Sequence, residues 1–374
     1  MNFELSDEQE MLRDAVSALL SAHAPLETVR AWLDRDDDVD PLLWRRAADL
    51  GWPGMVVPEH YGGTGQGLVE LALAAEESGR ALARGPFLST AIVGHALTVA
   101  GSAGLRQEVL PDLAAGSVWA TWAFAENYAP WTLSGLRTRA QSDGDLFILD
   151  GVKTAVQDAG AARWLLVTAL HNDIPTSFLV DRDAAGVIVR REHSLDPTRT
   201  FYEIRLEGVQ VPAERRLDGG PEAVQRLLDY ASVLNCADAL GAMQRMLDLT
   251  VGYTGVRVQF GQPIGSFQAV KHACTDMALL VHGSRAVTYY AAMAVDGQAA
   301  DAATWACSAA AYIADCAGDV AGAALQLHGG IGFTWEHDLH LYIRRAETNR
   351  VLYGDADVHH DRLCSLLRRS PASR

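Results

Sequence analysis

Arg257-Val-Gln-Phe-Gly-Gln-Pro-Ile-Gly-Ser-Phe-Gln-Ala-Val-Lys271 is the stretch on which the architecture turns. It sits between long apolar stretches with helical spacing. From Phe267 onward, Val270, Cys274, Met277 and Val281 step by three and four, which marks one face of a long amphipathic helix. Three such stretches, around Leu227–Val251, Phe267–Val295 and Ala302–Leu327, are long enough to pack as an antiparallel bundle. Toward the N-terminus the text changes. Between about Ser117 and Pro212 it breaks into short β-prone runs punctuated by turns: Leu146–Leu149, Trp164–Thr168, Ser177–Val180, Val187–Val189 and Phe201–Val211. Earlier still, from Ser6 to about Ala115, it is helical again: Ser6 with Gln9 reads as a capping box, and Leu68–Ala83 and Ala91–Val99 carry helical spacing. A Gly/Pro-rich segment, Gly51 to Gly65, interrupts it as a shaped loop that lacks the lysine of a phosphate loop. The expectation is an α+β chain: an N-terminal helical domain over 1–116, a middle β-barrel or sandwich domain over 117–220, and a C-terminal four-helix bundle over 221–374.

Composition narrows the function classes. Of 374 residues, 49% are apolar and 21% charged, the profile of a folded globular chain. Lys plus Arg at 31 against Asp plus Glu at 47 leaves 31 − 47 = −16, which argues against broad binding to nucleic acid or an anionic membrane. Cys236, Cys274, Cys307, Cys316 and Cys364 are odd in number and lack CxxC spacing, as reduced thiols of a cytoplasm would. The opening MNFELSDEQEMLRDAV has no basic flank followed by an apolar core, and no run approaches about 18 apolar residues. A cytoplasmic location follows as an expectation.

The Arg257–Lys271 stretch, followed by Gln326-Leu-His-Gly-Gly-Ile-Gly-Phe333, resembles the C-terminal signature of the acyl-CoA dehydrogenases. The Pro53–Gly65 loop, the Leu195-Asp-Pro-Thr-Arg199 turn and the Val211-Pro212 exit extend the resemblance over nearly the whole chain. It implies an FAD enzyme that desaturates the α,β bond of an acyl-CoA thioester, with an electron-transfer flavoprotein as acceptor. That reaction needs a carboxylate to take the α-proton, a flavin to take the β-hydride, and dipoles on the thioester carbonyl.

The base is missing where the resemblance would put it. The family's late Tyr-Glu-Gly motif reads Leu352-Tyr353-Gly354-Asp355 here, so Tyr353 replaces the glutamate, and the alternative position on the first bundle helix holds Ala231. A phenol with an ordinary pKa of about 10 is a poor substitute for a carboxylate of about 4. Asp238, two turns beyond Ala231, and Asp355 are candidates for a relocated base.

The flavin positions divide into two groups. In the family a Thr-Glu-Pro-Gly-X-Gly-Ser stretch and a Trp-X-Thr hold the flavin's pyrimidine end; here they read Ala125-Glu126-Asn127-Tyr128-Ala129-Pro130-Trp131 and Ala155-Val156-Gln157. Those contacts are lost. The half-site that the family donates to a neighbouring subunit's FAD is kept in Arg257, Phe260, Gln268, Gln326, Gly329 and Gly330. Phe333-Thr-Trp-Glu-His-Asp338 and Tyr353-Gly-Asp-Ala-Asp-Val-His359 are similar to members from steroid-degrading actinobacteria, which form α2β2 assemblies with one base-bearing subunit type. The resemblance implies a base-less subunit, paired with a paralogue, acting on a bulky acyl-CoA such as a steroid side-chain thioester. The alternatives are a self-sufficient homo-oligomeric enzyme using Asp238 or Tyr353, and a non-catalytic relative that has lost FAD. Asp34 to Asp40 reads as a solvated connection, and the His337/His340 and His359-His360 groups read as non-metal.

Overall fold

The computed structural model describes residues 4–33, 35, 38–127 and 131–369. Six helices open the chain: α1 (Asp7–His23), α2 (Leu26–Leu33), α3 (Pro41–Asp49), α4 (Leu68–Ala81), α5 (Phe87–Ala100) and α6 (Ala103–Ala114). Their starts are encoded locally. Ser6 and Gln9 close a reciprocal capping box, the Gln9 amide donating to Ser6 Oγ at 3.2 Å and the Ser6 amide to Gln9 Oε1 at 3.0 Å. Asp40 caps α3 by accepting from the Leu42 and Leu43 amides.

The middle segment is one curled sheet of β1 (Ala120–Ala123), β2 (Arg139–Asp143), β3 (Leu146–Gln157), β4 (Trp164–His171), β5 (Ile174–Asp181), β6 (Val187–Glu192) and β7 (Phe201–Pro212). Five of these strands lie where alternation and turn residues predict them. The other two, β1 and β2, run parallel to β4 along its one edge, in succession, while β5 pairs antiparallel along the other. They escape a sequence reading because β1 is four residues long and β2 is a polar Arg-Ala-Gln-Ser-Asp. β4 is buried on both faces: Trp164 and Leu166 join the helical core, while Leu165, Val167 and Ala169 join a second core inside the curl with Phe147, Phe178 and Ile204.

After the sheet come α7 (Gly220–Val256), a hairpin of β8 (Val258–Gln259) and β9 (Gln262–Pro263), then α8 (Gln268–Asp296), α9 (Ala302–His328), α10 (Leu339–Asn349) and α11 (Ala356–Arg369). The three long helices coincide with the three apolar stretches of the sequence. α7 is the axis of the molecule, with every residue from Leu227 to Met243 buried. α4 crosses it in backbone contact. A Cβ on Gly79 would lie 1.9 Å from the Asp238 carbonyl oxygen, and one on Gly241 would lie 1.9 Å from that of Glu76. Gly241→Ala therefore has to push two helices apart, and we expect it to cost about 1–3 kcal/mol in denaturant titrations. An unchanged midpoint would contradict the close crossing.

Candidate functional site

Tyr353 lies in the connection between α10 and α11 with φ +61°, a left-handed conformation that bulky residues rarely adopt. Asn235 of α7 pins this connection, its side-chain amide donating to the Asn349 carbonyl at 2.7 Å. The phenol points at the sheet. Gln157 Nε2, at the end of β3, donates to Tyr353 Oη at 2.8 Å, and the Trp131 ring lies 5.0 Å from the tyrosine ring. Trp131 stacks in turn on Phe124, and Trp122 flanks Tyr353 at 6.4 Å. Trp131 and Gln157 thus both engage Tyr353, all three at positions where the sequence departs from the family resemblance. Burial pushes the Tyr353 phenol above its ordinary value, which Arg199 only partly opposes. Tyr128, Ala129 and Pro130 lie outside the described residues.

Asp238 is at the other end of a polar chain from Tyr353. Gln157 Oε1 accepts from Arg199 Nη1 at 3.3 Å, and Arg199 Nη2 pairs with Asp238 Oδ1 at 2.9 Å. Arg345 of α10 adds a second ion pair to Asp238 at 3.3 Å, and Asn349 Nδ2 donates to it at 2.8 Å. Arg345 also reaches Asp196 and Thr198, from the Leu195–Arg199 turn, at 3.1 Å each. Burial pushes the Asp238 carboxyl up, but Arg199 and Arg345 more than offset this and leave it below its ordinary value. A carboxylate so stabilised is a weak proton acceptor. Ala231 is fully buried on α7, and Asp355 Oδ1 accepts from the Val358 amide at the start of α11, a helix-capping role.

Three further carboxylates lie against the strands beneath. Glu126 forms a buried pair with Lys153 of β3 at 2.7 Å and accepts from the Arg137 and Thr138 amides, which anchors the exit of β1. Burial lowers the Lys153 ammonium to about 8 against the opposing pull of Glu126. Asp38, within the acidic run read as solvated, is instead buried and accepts from Tyr202 Oη; a tyrosine from the sheet reaches over it. Asp158 accepts from Ser89 and Thr200, yet burial pushes it up to about 6.

Because that value exceeds the unfolded value of about 3.9, Asp158 favours the fold in its protonated state. Its contribution is complete below about pH 4 and is lost as pH rises through about 6. Asp158→Asn is expected to stabilise the chain by up to about 3 kcal/mol at pH 8, a gain that vanishes near pH 4. Denaturant midpoints across that range read it directly.

The remaining candidates gather at one end of the bundle. Arg257 follows α7, and Phe260 with Gly261 makes the two-residue turn of the β8–β9 hairpin, both at positive φ. Gln268 is the first residue of α8. His328, at the end of α9, stacks on Tyr253 of α7 at 4.7 Å, which brings Gln326, Gly329 and Gly330 to the same end. Gly329, at φ +61° and ψ −143°, occupies a region open only to glycine. A Cβ on Gly329 or Gly330 would meet nothing within 4 Å, so this backbone is open to an approaching group. Among the described residues, the Arg257 side chain has no hydrogen-bond or ion-pair partner. Apolar side chains surround it in water: Phe260 is 92% exposed, Val256 and Phe333 76% each.

An unpaired guanidinium at the same end of the bundle as an open glycine pair fits the pyrophosphate of a dinucleotide. Trp131 and Gln157, both engaged with Tyr353, do not fit an isoalloxazine ring, which would have to take the contacts they make with the tyrosine. Among the described residues no group of three or more His, Cys, Asp or Glu is placed to hold a metal ion, and no helix is long and apolar enough to cross a membrane.

Comparison with known proteins identifies the family. Residues 6–117 match the acyl-CoA dehydrogenase N-terminal domain and residues 218–365 the C-terminal domain. The acyl-CoA dehydrogenase IpdE2 of Mycolicibacterium smegmatis is 34% identical over 351 residues, 94% of this chain and 96% of that one. The chain belongs to the acyl-CoA dehydrogenase family. Among solved structures it is similar to the steroid ACAD Tcur3481-Tcur3483, with 31% identity, a TM-score of 0.90 and coverage of 98% and 99%. The ChsE4-ChsE5 complex of Mycobacterium tuberculosis gives 28% identity, a TM-score of 0.92 and coverage of 99% and 100%.

Within this acyl-CoA dehydrogenase fold, several partners escape the linear text. Asp196, Arg345 and Asn349 are joined to Asp238 only by the fold, being 42 to 111 residues away from it. A buried arginine in an otherwise amphipathic helix, such as Arg345 in α10, is the one sequence feature that hints at such a hub.

Proposed function

We propose that this chain is the base-less subunit of a heteromeric acyl-CoA dehydrogenase, in which a paralogous subunit carries the glutamate and holds the flavin ring. This chain then supplies its Arg257 end to the partner's FAD, in an α2β2 assembly that acts on a bulky thioester such as a steroid side-chain CoA ester. Electrons pass to an electron-transfer flavoprotein.

The observation that carries the reading is the contact of Trp131 and of Gln157 with Tyr353: the two positions that would meet flavin are taken up by the residue that stands in place of the base. The open Arg257 end supports it from the other side, with an exposed apolar rim that a partner would cover. The two-component names of the Tcur3481-Tcur3483 and ChsE4-ChsE5 structures are consistent with a pair of paralogues. An enzyme working alone through Asp238 or Tyr353 would need a base that two arginines have weakened, or a phenol that burial keeps protonated. The test is expression of the chain alone and with its paralogue, followed by flavin absorbance per chain and dehydrogenation of a steroid side-chain CoA ester. The expected result is full flavin loading and turnover only for the pair. Full loading and turnover of the lone chain would overturn the proposal.

A further inference from the structure

A cleft of about 920 Å³ opens between α1, α4 and α8, with Arg245 of α7 and Tyr342 of α10 at its side. It shares no residue with the Tyr353 cluster or the Arg257 end, and its size is that of a small-molecule site. Four carboxylates line it, Glu4, Asp14, Glu76 and Glu77, and both oxygens of Glu76 are occupied: Arg285 Nη2 donates to one at 2.6 Å and Tyr289 Oη to the other at 2.7 Å. Arg80 is paired outside the cleft with Asp248 at 2.8 Å. Glu77 is buried, and desolvation raises its carboxyl above the ordinary value, which weakens it as a counter-ion.

Two cations are left over. The one ion pair of Arg13 among the described residues is a long one, to an exposed Asp14 at 3.7 Å, with a weaker pull on Glu77, and Arg245 meets the Tyr342 hydroxyl and no carboxylate among the described residues. The other wall of the cleft is apolar, with Leu20, Leu26, Val69, Leu73 and Met293. Guanidinium groups held by no close carboxylate and facing an aliphatic wall select a ligand with both characters.

We propose that this cleft binds an amphipathic anion, its apolar body against Leu20, Leu73 and Met293 and its carboxylate or phosphate head met by Arg13 and Arg245. A subunit with no base of its own would then carry a second ligand site, separate from the cofactor.

Calorimetric titration of the purified protein, alone or paired with its paralogue, with dodecanoate, dodecyl phosphate and dodecan-1-ol tests this without reading flavin or turnover. One anion is expected to bind once per chain, about tenfold or more tighter than the alcohol, and to weaken about fivefold or more in Arg13→Gln. Tighter binding of dodecanoate assigns a carboxylate head; tighter binding of the phosphate assigns that one. Arg13 lines the cleft with its side chain 40% exposed and takes no part in the packed core, so the variant keeps the fold, and Arg245→Gln provides the second reading. Equal affinity for anion and alcohol overturns the site, as does indifference to both substitutions. Loss of binding in Arg257→Ala in place of Arg13→Gln puts the ligand at the cofactor end and also overturns it.

Discussion

Asp238→Ala is expected to destabilise the chain by about 3–5 kcal/mol, because it strands the buried Arg199 guanidinium and leaves Arg345 with Asp196 as its one carboxylate. Arg199 and Arg345 have side chains only 8% and 2% exposed, and each faces Asp238 from a different part of the fold. Arg199 comes from the turn between β6 and β7, Arg345 from α10 and Asp238 from the central α7, so the aspartate holds the sheet's connection and the bundle to a common point. Removing it leaves like charges near one another in a medium of low polarity, where each had been compensated. Asp238→Asn keeps an acceptor for Asn349 and should cost less. The pH dependence carries a sign of its own. With its folded-state pKa below the unfolded value of about 3.9, Asp238 contributes stability above that value and loses it as pH falls through the folded pKa. The acid limb of the stability profile should therefore flatten in Asp238→Ala, while the Asp158 contribution, opposite in sign, stays. Denaturant midpoints between pH 3 and 8 separate the two. A relocated base would behave otherwise: turnover would vanish in Asp238→Asn with stability nearly unchanged.

The long helices were legible because their signal is local and repeated. Phe267, Val270, Cys274, Met277 and Val281 run along one face of α8, and the structure buries the stripe fully only from Met277 onward. The half-buried start of that stripe is the same end that exposes Phe260 and Arg257, so an apolar face there serves something outside the chain. Strands with alternating or continuous apolar text were legible for the same reason, whereas β2 depends on its neighbours β3 and β4 for its place in the sheet. The site was legible in part. Residue types at Tyr353, Ala231 and Gln157 disclose what is absent from the family pattern. That Gln157 and Tyr353 bond to each other across 196 residues is a property of the fold. No periodicity or spacing in the sequence announces it.

In the paired complex, Arg257→Ala should weaken FAD by about 10- to 100-fold while leaving assembly intact. A charge-assisted contact to phosphate contributes about 1.5–3 kcal/mol, and about 1.4 kcal/mol is a factor of ten. Arg257 has no partner to lose among the described residues, so its removal costs the free subunit nothing, and the deficit appears only where cofactor is bound. Arg257→Lys keeps the charge but not the planar two-pronged donor, and should fall between the two. Gly329→Ala acts on the same end by a different route: its φ of +61° with ψ −143° is closed to alanine, so the backbone facing the cofactor has to turn away. Tyr353→Phe is the contrasting variant. It removes one hydrogen bond to Gln157 and, in a subunit that performs no proton transfer, leaves kcat of the complex unchanged. Flavin absorbance per complex after dialysis, set beside kcat with saturating FAD, distinguishes these outcomes. If Tyr353→Phe abolishes turnover while Arg257→Ala retains its flavin, the chemistry resides in this chain and its Arg257 end is an ordinary surface.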